Sequence, residues 1–451
     1  MVIIASKSYH ICVNIELPNY IKEIMDIFKE NGYPCFLVGG AIRDYLLGLP
    51  VSDYDLTTPI DGHTIKKLFK GYYFINNNSE RHKTYTLRYK QHSVEISTFK
   101  HIAGEPNTLE SDIKHRDLNI NSIVYDGENI IDYRNGIKDI ENKIISMGDN
   151  SEQIIDEDPN RILRSIRFSA TLGFEIDKKT KVSIIRNYEK LVNVSKERIV
   201  AEVNKIITSN KVSEMLLEYK DIFGFIFPEL KPCIGFDQNN KWHKNDLYTH
   251  LVNVTQLTSP DTSTRYAALF HDIGKIKTVT QEYIKEEHRY INHYYGHSTV
   301  SKELARRILK EYKFSKHALK EILFLIENHD SIIQPTKKSV KKTLIKMGEN
   351  IANPLLLLEK LIDLQKADRL DHTKNNPVDK EAIMLLAKEI IKEQEALQIK
   401  DLDIDGNDLI KFGYKGREIG DTLKELLQLV FTEELENKRK VLIDFIKNKN
   451  A

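Results

Sequence analysis

The sequence GGAIRDYLLG at residues 39–48, followed by DYDLTT at residues 53–58, decides the fold of the first part of this chain. The apolar run CFLV just before it predicts a strand, and Gly39-Gly40 predicts a tight turn into a helix. Backbone N–H groups at a helix N-terminus attract anions, and Arg43 adds a positive charge suited to a triphosphate. An ordinary strand-to-helix turn is the alternative interpretation of the glycine pair alone.

The DYDLTT segment carries two carboxylates, Asp53 and Asp55, two residues apart on a predicted strand. Side chains at this spacing point to the same face of a strand, so we expect the two carboxylates to converge. Oxygen ligands this close repel each other unless a hard cation such as Mg²⁺ lies between them. Glu95, on a later strand of alternating pattern, is a candidate third carboxylate; an exposed strand glutamate is the alternative.

The predicted secondary structure changes near residue 151. From residue 33 to about 150, short β-type runs alternate with helical patches and turn signals, which predicts an α/β (α+β) head. Beyond it, apolar residues recur at helical spacing, so a multidomain chain with an all-α remainder is expected. The predicted parts are an N-terminal helix at 1–32, a head at 33–150, a helical neck at 151–240, a third unit at 246–370 and a helical tail at 371–451.

The paired motifs GGAIRDYLLG and DYDLTT resemble the head domain of the DNA polymerase β nucleotidyltransferase superfamily. More narrowly, they are similar to the class II CCA-adding tRNA nucleotidyltransferases and to the bacterial poly(A) polymerases, which share this head. The resemblance implies two-metal phosphoryl transfer on Asp53 and Asp55, with Mg²⁺ activating the RNA 3′-hydroxyl and steadying the pyrophosphate. It also implies that the turn of Gly39, Gly40 and Arg43 binds the nucleotide.

HRDLNINS at residues 115–122 resembles the family motif RRDFTINA, with His115 in place of the first arginine. The resemblance implies that Arg116 contacts the nucleotide phosphate and that Asp117 and Asn121 organise the sugar and the site. By composition alone, this stretch would pass for a charged turn leading into a strand.

EDPNRILRSIRF at residues 157–168 resembles the family motif EDxxR. Arg161, Arg164 and Arg167 are three residues apart, and one helix would bring them and Asp158 near one face. The resemblance implies that Asp158 and Arg161 pair with the Watson–Crick edge of the incoming base. A carboxylate accepts from the amino groups of cytosine and adenine but opposes the carbonyl oxygens of uracil and guanine, so the site would select C and A without a template. A salt-bridged, solvated helix face is the alternative.

Two further stretches bear on this resemblance. Residues 194–202 resemble the ERI motif of the family neck, where Glu197, Arg198 and Glu202 would brace the base-selecting helix. Only sixteen residues separate Phe99 from Arg116, whereas relatives that add all three nucleotides carry a longer loop there. Full CCA addition is the first prediction, and addition of CC only stays an alternative.

HDIGK at residues 271–275 follows an apolar helical run, and further histidines and an aspartate lie on other predicted helices. Imidazoles and carboxylates from separate helices are the usual ligands of a metal site in a helical bundle. The set resembles the HD phosphohydrolase superfamily, which implies a divalent metal of unknown identity and phosphatase or cyclic phosphodiesterase activity on damaged RNA ends. The implied metal ligands are His250, His271, Asp272 and Asp368, with His297 and His329 for a second metal or a phosphate.

Composition sets wider limits. A formal net charge of +1 neither requires nor excludes a nucleic-acid partner. Three widely spaced cysteines argue against a disulfide framework or a thiolate zinc site and fit a reducing cytoplasm. The start does not resemble a signal peptide and no long apolar run is present, so a cytoplasmic protein without membrane contact is expected. Oligomeric state is not predicted.

The expected partners are tRNA, CTP and ATP, with the helical tail and a lysine cluster at residues 337–342 contacting tRNA phosphates. The alternatives are a CC-adding enzyme, a poly(A) polymerase, and an HD-type nucleotide phosphohydrolase whose head only binds RNA. The poly(A) alternative is disfavoured because bacterial versions typically lack an HD unit and carry a basic tail.

Overall fold

The computed structural model describes residues 3–5, 8–12, 15–75, 84–100, 106–239, 245–285, 288–347, 353–371, 378–392, 399–431 and 434–449. The chain divides into two compact units, Met1–Ile206 and Ile207–Ala451. Residues 240–244 of the predicted linker and 101–105 of the predicted short loop lie outside the described residues. The predicted fold class, a mixed α/β head followed by a mainly helical remainder, is confirmed.

The first unit is built on a nine-stranded sheet with the order β1-β2-β9-β8-β3-β4-β7-β6-β5. The strands are β1 (Ile3–Ala5), β2 (Ser8–Cys12), β3 (Phe36–Val38), β4 (Asp55–Thr58), β5 (Tyr73–Ile75), β6 (Thr84–Tyr89), β7 (His92–Thr98), β8 (Val124–Tyr125) and β9 (Asn129–Asp132). β4 and β7 run parallel, and β3 and β4 run antiparallel. Leu37, Leu56 and Ile96 on these three strands are almost fully buried, so the strands form the centre of the sheet.

The helices of the first unit cover the sheet and then continue as a helical neck. They are α1 (Asn19–Glu30), α2 (Gly40–Leu46), α3 (Gly62–Leu68), α4 (Leu109–Lys114), α5 (Gly136–Asn142), α6 (Ser151–Glu157), α7 (Arg161–Leu172), α8 (Lys178–Asn187) and α9 (Lys196–Ile207). A short parallel pair, β10 (Ile144–Ile145) with β11 (Glu175–Ile176), joins the two parts. α1 is amphipathic as predicted, because Ile21, Ile24 and Phe28 form its buried face.

Two elements of the first unit differ from the sequence-based expectation. The residues ahead of α1 form β1 and β2, and β2 pairs with β9, whereas only a helix was predicted there. The strand predicted across DYDLTT begins at Asp55, so Asp53 lies outside it. The physical reason is the pairing: Asp55 is opposite Val38, and Gly39 then turns the chain into α2, so β3 offers no partner opposite Asp53.

The second unit is mainly helical. Its helices are α10 (Val212–Glu218), α11 (Lys220–Ile226), α12 (Leu247–Leu257), α13 (Thr262–Phe270), α14 (Lys275–Thr278), α15 (His297–Glu311), α16 (Lys316–Asn328), α17 (Lys337–Met347), α18 (Pro354–Asp371), α19 (Lys380–Lys392), α20 (Gly406–Lys411), α21 (Arg417–Phe431) and α22 (Arg439–Lys449). The all-α expectation was wrong at one hairpin, β12 (Thr280–Ile284) with β13 (Arg289–His293). Tyr283 and Tyr290 lie opposite each other there, a cross-strand pair that favours a sheet.

The core of the second unit lies where α12 and α13 pack against α16 and α18. Leu251, Phe270, Leu325 and Leu361 are fully buried there. Within the described residues, no helix is both long enough and apolar enough to span a membrane. The predicted lysine cluster is only partly available for RNA, because Lys341 is 5% exposed and its Nζ lies over the Phe431 ring at 5.7 Å.

Candidate active site

The turn after β3 brings the backbone close to a carboxylate. Gly39 has φ 88°, a conformation that L side chains rarely adopt, and it turns the chain from β3 into α2. A Cβ atom at Gly39 would lie 3.7 Å from Asp55 Oδ2. In the parallel register of β4 and β7, Asp55 lies opposite Glu95. The sheet therefore holds these two carboxylates side by side, next to the glycine turn.

Asp55 is electrostatically unfavourable without a cation. Its side chain is open to solvent through the cleft, yet the surrounding atoms desolvate it and the Glu95 carboxylate repels it. Together with Asp53, these effects outweigh Arg116 and raise the pKa of Asp55 to about 6. Asp53 itself is exposed and accepts a hydrogen bond from Ser52 Oγ at 2.9 Å.

A cavity of about 330 Å³ opens beside these carboxylates. It joins most of the residues that the sequence motifs predicted, although they are far apart in the chain. The predicted metal carboxylates Asp55 and Glu95 and the predicted base-pairing residues Asp158 and Arg161 line the same cavity. Its charged lining is Asp55, Glu95, Lys100, Asp112, Arg116, Asp117, Asp158, Arg161, Arg164 and Arg198.

Other predicted residues are linked to this lining rather than part of it. Arg43 Nη1 donates to Asn121 Oδ1 at 2.6 Å, and Asn121 Nδ2 donates to Asp117 Oδ1 at 3.4 Å. Asp117 Oδ2 in turn accepts from Arg164 Nε at 2.7 Å. Burial would raise the pKa of Asp117, but the Arg164 guanidinium and the Leu118 N–H outweigh it and hold that pKa well below its usual range. One hydrogen-bonded chain thus connects the motifs GGAIRDYLLG, HRDLNINS and EDPNRILRSIRF.

Three arginine side chains lie close to the ring of Phe168. The guanidinium carbon of Arg167 lies 3.6 Å from the Phe168 ring centroid, that of Arg43 at 4.8 Å and that of Arg164 at 5.7 Å. Glu202 Oε2 lies 2.7 Å from Arg167 Nε, and Glu202 Oε1 lies 3.9 Å from Arg164 Nη1. The predicted bracing role of Glu202 on α9 is consistent with these contacts.

Asp158 differs from the sequence-based expectation in its local structure. It is the C-cap of α6 in an extended conformation, and α7 begins three residues later at Arg161, so the two do not share one helix. The reason is Pro159, since the residue before a proline is pushed out of the helical region. Asp158 still reaches the cavity, where its Oδ2 accepts from Arg198 Nη2 at 2.7 Å.

Lys100 and Asp112 line the cavity but were not predicted. Asp112 accepts from the Lys100 backbone N–H at 3.0 Å and from Arg116 Nη2 at 3.1 Å. The sequence gives a weak signal for them, because both lie within the short segment that joins β7 to the HRDLNINS motif. Such proximity along the chain does not tell which side chains face a cavity.

The second unit holds a separate cluster of imidazoles and carboxylates that contains all six residues predicted for a metal site. His250 Nε2 and His271 Nε2 lie 3.4 Å and 3.3 Å from Asp272 Oδ2. The same two atoms lie 3.2 Å and 3.5 Å from Asp368 Oδ1. On the other side, Asp272 Oδ1 lies 3.0 Å from His297 Nε2 and 3.4 Å from His329 Nε2. Asp272 is thus shared between two groups of potential ligands.

The second nitrogen of each imidazole is held by a hydrogen bond. His271 Nδ1 donates to Ala268 O, His297 Nδ1 to Tyr294 O and His329 Nδ1 to Ile326 O, all at 2.7–2.8 Å. His250 Nδ1 faces Asp371 Oδ2 at 2.8 Å. These partners orient the Nε2 atoms toward the centre of the cluster, as the hydrogen-bond partners of ligand imidazoles do in metal sites. The buried Asp272 Oδ1 makes no hydrogen bond of normal geometry among the described residues.

Models of known protein families match segments of both units. Residues 35–146 match the family model described as the poly A polymerase head domain. The chain carries a poly(A) polymerase head domain. Residues 173–234 match the model of an RNA and SrmB-binding site of polymerase A, and residues 286–446 match the tRNA nucleotidyltransferase domain 2 model. The predicted resemblance is confirmed for the head and for the family, whereas no comparison shows an HD domain.

Curated relatives align with this head domain and with most of the remaining chain. The chain is 26% identical to a CCA-adding enzyme of Lactobacillus helveticus, across 92% of this chain and 93% of that one. It is 26% identical to the human mitochondrial CCA tRNA nucleotidyltransferase 1, across 98% and 94%. A crystal structure of the Bacillus stearothermophilus CCA-adding enzyme with CTP has a TM-score of 0.67 at 21% identity, covering 96% and 98% of the chains. That structure shows the same fold.

Proposed function

We propose that this protein adds CCA to the 3′ end of tRNA from CTP and ATP, without a nucleic-acid template. The observation that carries the proposal is the shared cavity. Asp55 and Glu95, which would hold the catalytic metal, line it together with Asp158 and Arg161, which would pair with the base. The sequence relatives named CCA-adding enzymes support the same activity.

The residues present fit Mg²⁺. Asp55 and Glu95 are neighbours in register, and Asp53 lies two residues from Asp55. The pKa of Asp55 is raised first by desolvation and then by the Glu95 carboxylate, and a bound cation would offset both effects. When bound there, Mg²⁺ supplies charge neutralisation for the triphosphate and activation of the 3′-hydroxyl. Arg116 and Arg164 line the same cavity and add fixed positive charge for the phosphates.

Base selection would follow from hydrogen bonding. Asp158 accepts from the amino group that cytosine and adenine share and opposes the carbonyl oxygen of uracil or guanine. Arg161 donates to Ile154 O, Glu157 and His115 O, which accounts for three of its five N–H donors. Among the described residues, no hydrogen bond uses the other two N–H groups of Arg161. They would donate to the ring acceptors of the base. A wrong base would leave these buried groups unpaired.

The test is incubation with tRNAs that end before CCA, at C and at CC, with each nucleoside triphosphate alone. Sequencing of the 3′ ends distinguishes the products. We expect CTP to extend the first two substrates and ATP to extend only the third by a single residue. Failure of ATP to extend the tRNA that ends at CC would favour the CC-adding alternative, and a long adenosine tail would favour the poly(A) alternative. Extension by UTP and GTP as readily as by CTP would overturn the proposal.

A second activity is supported by the imidazole–carboxylate cluster. We propose that His250, His271, Asp272 and Asp368 hold one divalent metal and that Asp272, His297 and His329 hold a second metal or a phosphate. The fit rests on four converging Nε2 atoms and on the buried Asp272 Oδ1, which lacks a normal hydrogen bond among the described residues. A bound divalent metal supplies Lewis-acid activation for phosphoester hydrolysis.

The chain's own residues would prepare this site in two ways. Lys275 Nζ lies 2.6 Å from Asp272 Oδ2 and donates to Gln238 Oε1 at 2.9 Å, so it fixes the shared carboxylate. Asp371, at the end of α18, holds His250. Hydrolysis of a 3′-phosphate, or of the P–O3′ bond of a 2′,3′-cyclic phosphate, would free the 3′-hydroxyl acceptor that nucleotide addition requires; the phosphate leaves as inorganic phosphate in the first case and stays on the 2′-oxygen in the second.

This second proposal is tested with 2′,3′-cyclic nucleotides and with RNA carrying a 3′-phosphate, in Mg²⁺, Mn²⁺, Ni²⁺ and Co²⁺. Metal content of the purified protein is measured in parallel. We expect the wild type to bind metal and hydrolyse one of these esters, and His271→Ala with Asp272→Ala to lose both. Equal metal content and equal hydrolysis in the wild type and the double variant would show that the cluster is structural.

A further inference from the structure

We infer that His115 is a positioning residue that fixes the orientation of Arg161 and thereby the selection of the incoming base. The inference rests on the proposed nucleotide addition and goes beyond it, because it concerns the one position where this chain departs from the arginine of the motif. His115 is the C-cap of α4, in the segment between β7 and β8, and Arg161 is the first residue of α7. The two are 46 residues apart in sequence.

His115 contacts Arg161 by two routes. Its backbone carbonyl accepts from Arg161 Nη2 at 2.7 Å, which is a direct contact. Its imidazole Nδ1 lies 2.6 Å from Glu157 Oε1, and Glu157 Oε2 accepts from Arg161 Nη1 at 3.2 Å. The imidazole is 3% exposed and Arg161 is 8% exposed, so neither side chain has room to change its rotamer freely. The backbone and the side chain of one residue therefore hold both ends of the guanidinium.

Charge keeps this arrangement closed. Burial opposes ionisation of Glu157, but the hydrogen bond from His115 and the charges of Lys100 and Arg161 outweigh it and lower the pKa of Glu157. Glu157 therefore remains a carboxylate near neutral pH. Lys100 Nζ lies 3.6 Å from Glu157 Oε2 and donates to His115 O at 2.8 Å. His115, Glu157, Lys100 and Arg161 thus form a closed set of contacts beside the cavity.

A histidine suits this place for a physical reason. Lys100 and Arg161 already bring two cations to the Glu157 carboxylate. An arginine at position 115 would add a third fixed charge, whereas an imidazole can donate through Nδ1–H in its neutral as in its protonated form. The imidazole is also short and rigid. Its contact with Glu157 Oε1 therefore fixes the distance between the Glu157 carboxylate and the His115 backbone. The position of Glu157 then sets the plane of the Arg161 guanidinium.

The orientation of Arg161 matters because hydrogen bonds are directional. Three of its five N–H donors are committed to protein oxygens, and those contacts fix where the other two point. A rotation of the guanidinium would weaken its bonds to cytosine and adenine while lowering the penalty for uracil. Loss of the His115 donor should therefore reduce discrimination more than it reduces turnover.

The test compares His115→Leu, which removes the donor, with His115→Asn, whose amide reaches the place of Nδ1. The readout is kcat/KM for CTP and for UTP on a tRNA that ends before CCA, together with the thermal unfolding midpoint. We expect His115→Leu to lower the CTP:UTP ratio about tenfold, as for loss of one charge-assisted hydrogen bond, and His115→Asn to keep it within about threefold. A purely structural role would lower both rates together and leave the ratio unchanged.

Several outcomes overturn the inference. One is a folded His115→Leu variant with the wild-type CTP:UTP ratio, and another is an equal fall of that ratio in both variants. If His115→Leu does not fold, Glu157→Gln tests the same chain of contacts, and an unchanged ratio in that variant also contradicts the inference. A wild type that fails to prefer CTP over UTP would instead contradict the proposed function itself, so the two failures are distinguishable.

Discussion

At the scale of single residues, the Asp55 carboxylate lowers the stability of the metal-free protein at neutral pH, although the proposed activity requires it. Its pKa is raised to about 6 by desolvation and by Glu95, so its ionisation is less favourable in the folded protein than in the unfolded chain. We therefore expect Asp55→Asn to raise the unfolding midpoint at pH 7 in the absence of divalent metal and to abolish nucleotide addition. The gain should vanish below about pH 3, where Asp55 is protonated in both the folded and the unfolded state. Asp26→Asn, an exposed change on α1, serves as the control in the same melting series.

The same carboxylate predicts how metal binding depends on pH. Mg²⁺ must displace a proton from Asp55 when the pH lies below about 6, and meets an ionised carboxylate above it. The apparent affinity for Mg²⁺ should therefore be nearly constant from pH 7 to 8 and fall by up to about tenfold per unit below pH 6. Titration of Mg²⁺ by calorimetry across this range measures it. A flat affinity down to pH 5 would exclude Asp55 as a ligand.

At the scale of elements, Gly274 sets the approach of α15 to the imidazole–carboxylate cluster. A Cβ atom there would lie 2.4 Å from His297 O and 2.6 Å from Ser301 N, which are backbone atoms that cannot yield easily. We expect Gly274→Ala to destabilise the protein by roughly 1–3 kcal/mol through overpacking. Gly420, inside α21, has no atom within 4 Å of such a Cβ, so Gly420→Ala should stabilise by up to about 1 kcal/mol. Denaturant unfolding of both variants checks the opposite signs, and a shared sign would contradict the packing.

Sequence patterns predicted the elements of the head better than their limits. The alternation of SVEIS made Glu95 a candidate third carboxylate on a predicted strand. Its position opposite Asp55 comes from the pairing of β4 with β7, which the sequence does not show. Asp53 fell outside β4 because the strand ends where its partner turns away, and pairing partners are invisible in one sequence. The contact of His115 with Glu157 joins residues 42 apart, and no local pattern encodes it. The hairpin of β12 and β13 was not predicted for a similar reason. It depends on which residues lie opposite each other, such as Tyr283 and Tyr290, and the sequence does not show this pairing.

At the scale of the whole molecule, the two candidate sites lie in different compact units. Their activities should therefore respond to different substitutions. We expect Asp55→Asn to abolish nucleotide addition and to leave ester hydrolysis and metal content of the second unit unchanged. Asp368→Asn should do the reverse, because it removes a charge next to His250 and His271. Both assays on both variants test this, and loss of both activities in either variant would contradict independent sites.

Selection of the base by the protein itself is the property on which the proposed function depends most. The direct measurement is kcat/KM for all four nucleoside triphosphates on tRNA ending before CCA, in the wild type and in Asp158→Ala. We predict that the wild type prefers CTP over UTP by at least about 100-fold and that Asp158→Ala loses most of this preference, because the variant no longer opposes the uracil carbonyl. An unchanged preference in a folded Asp158→Ala variant would contradict the central claim.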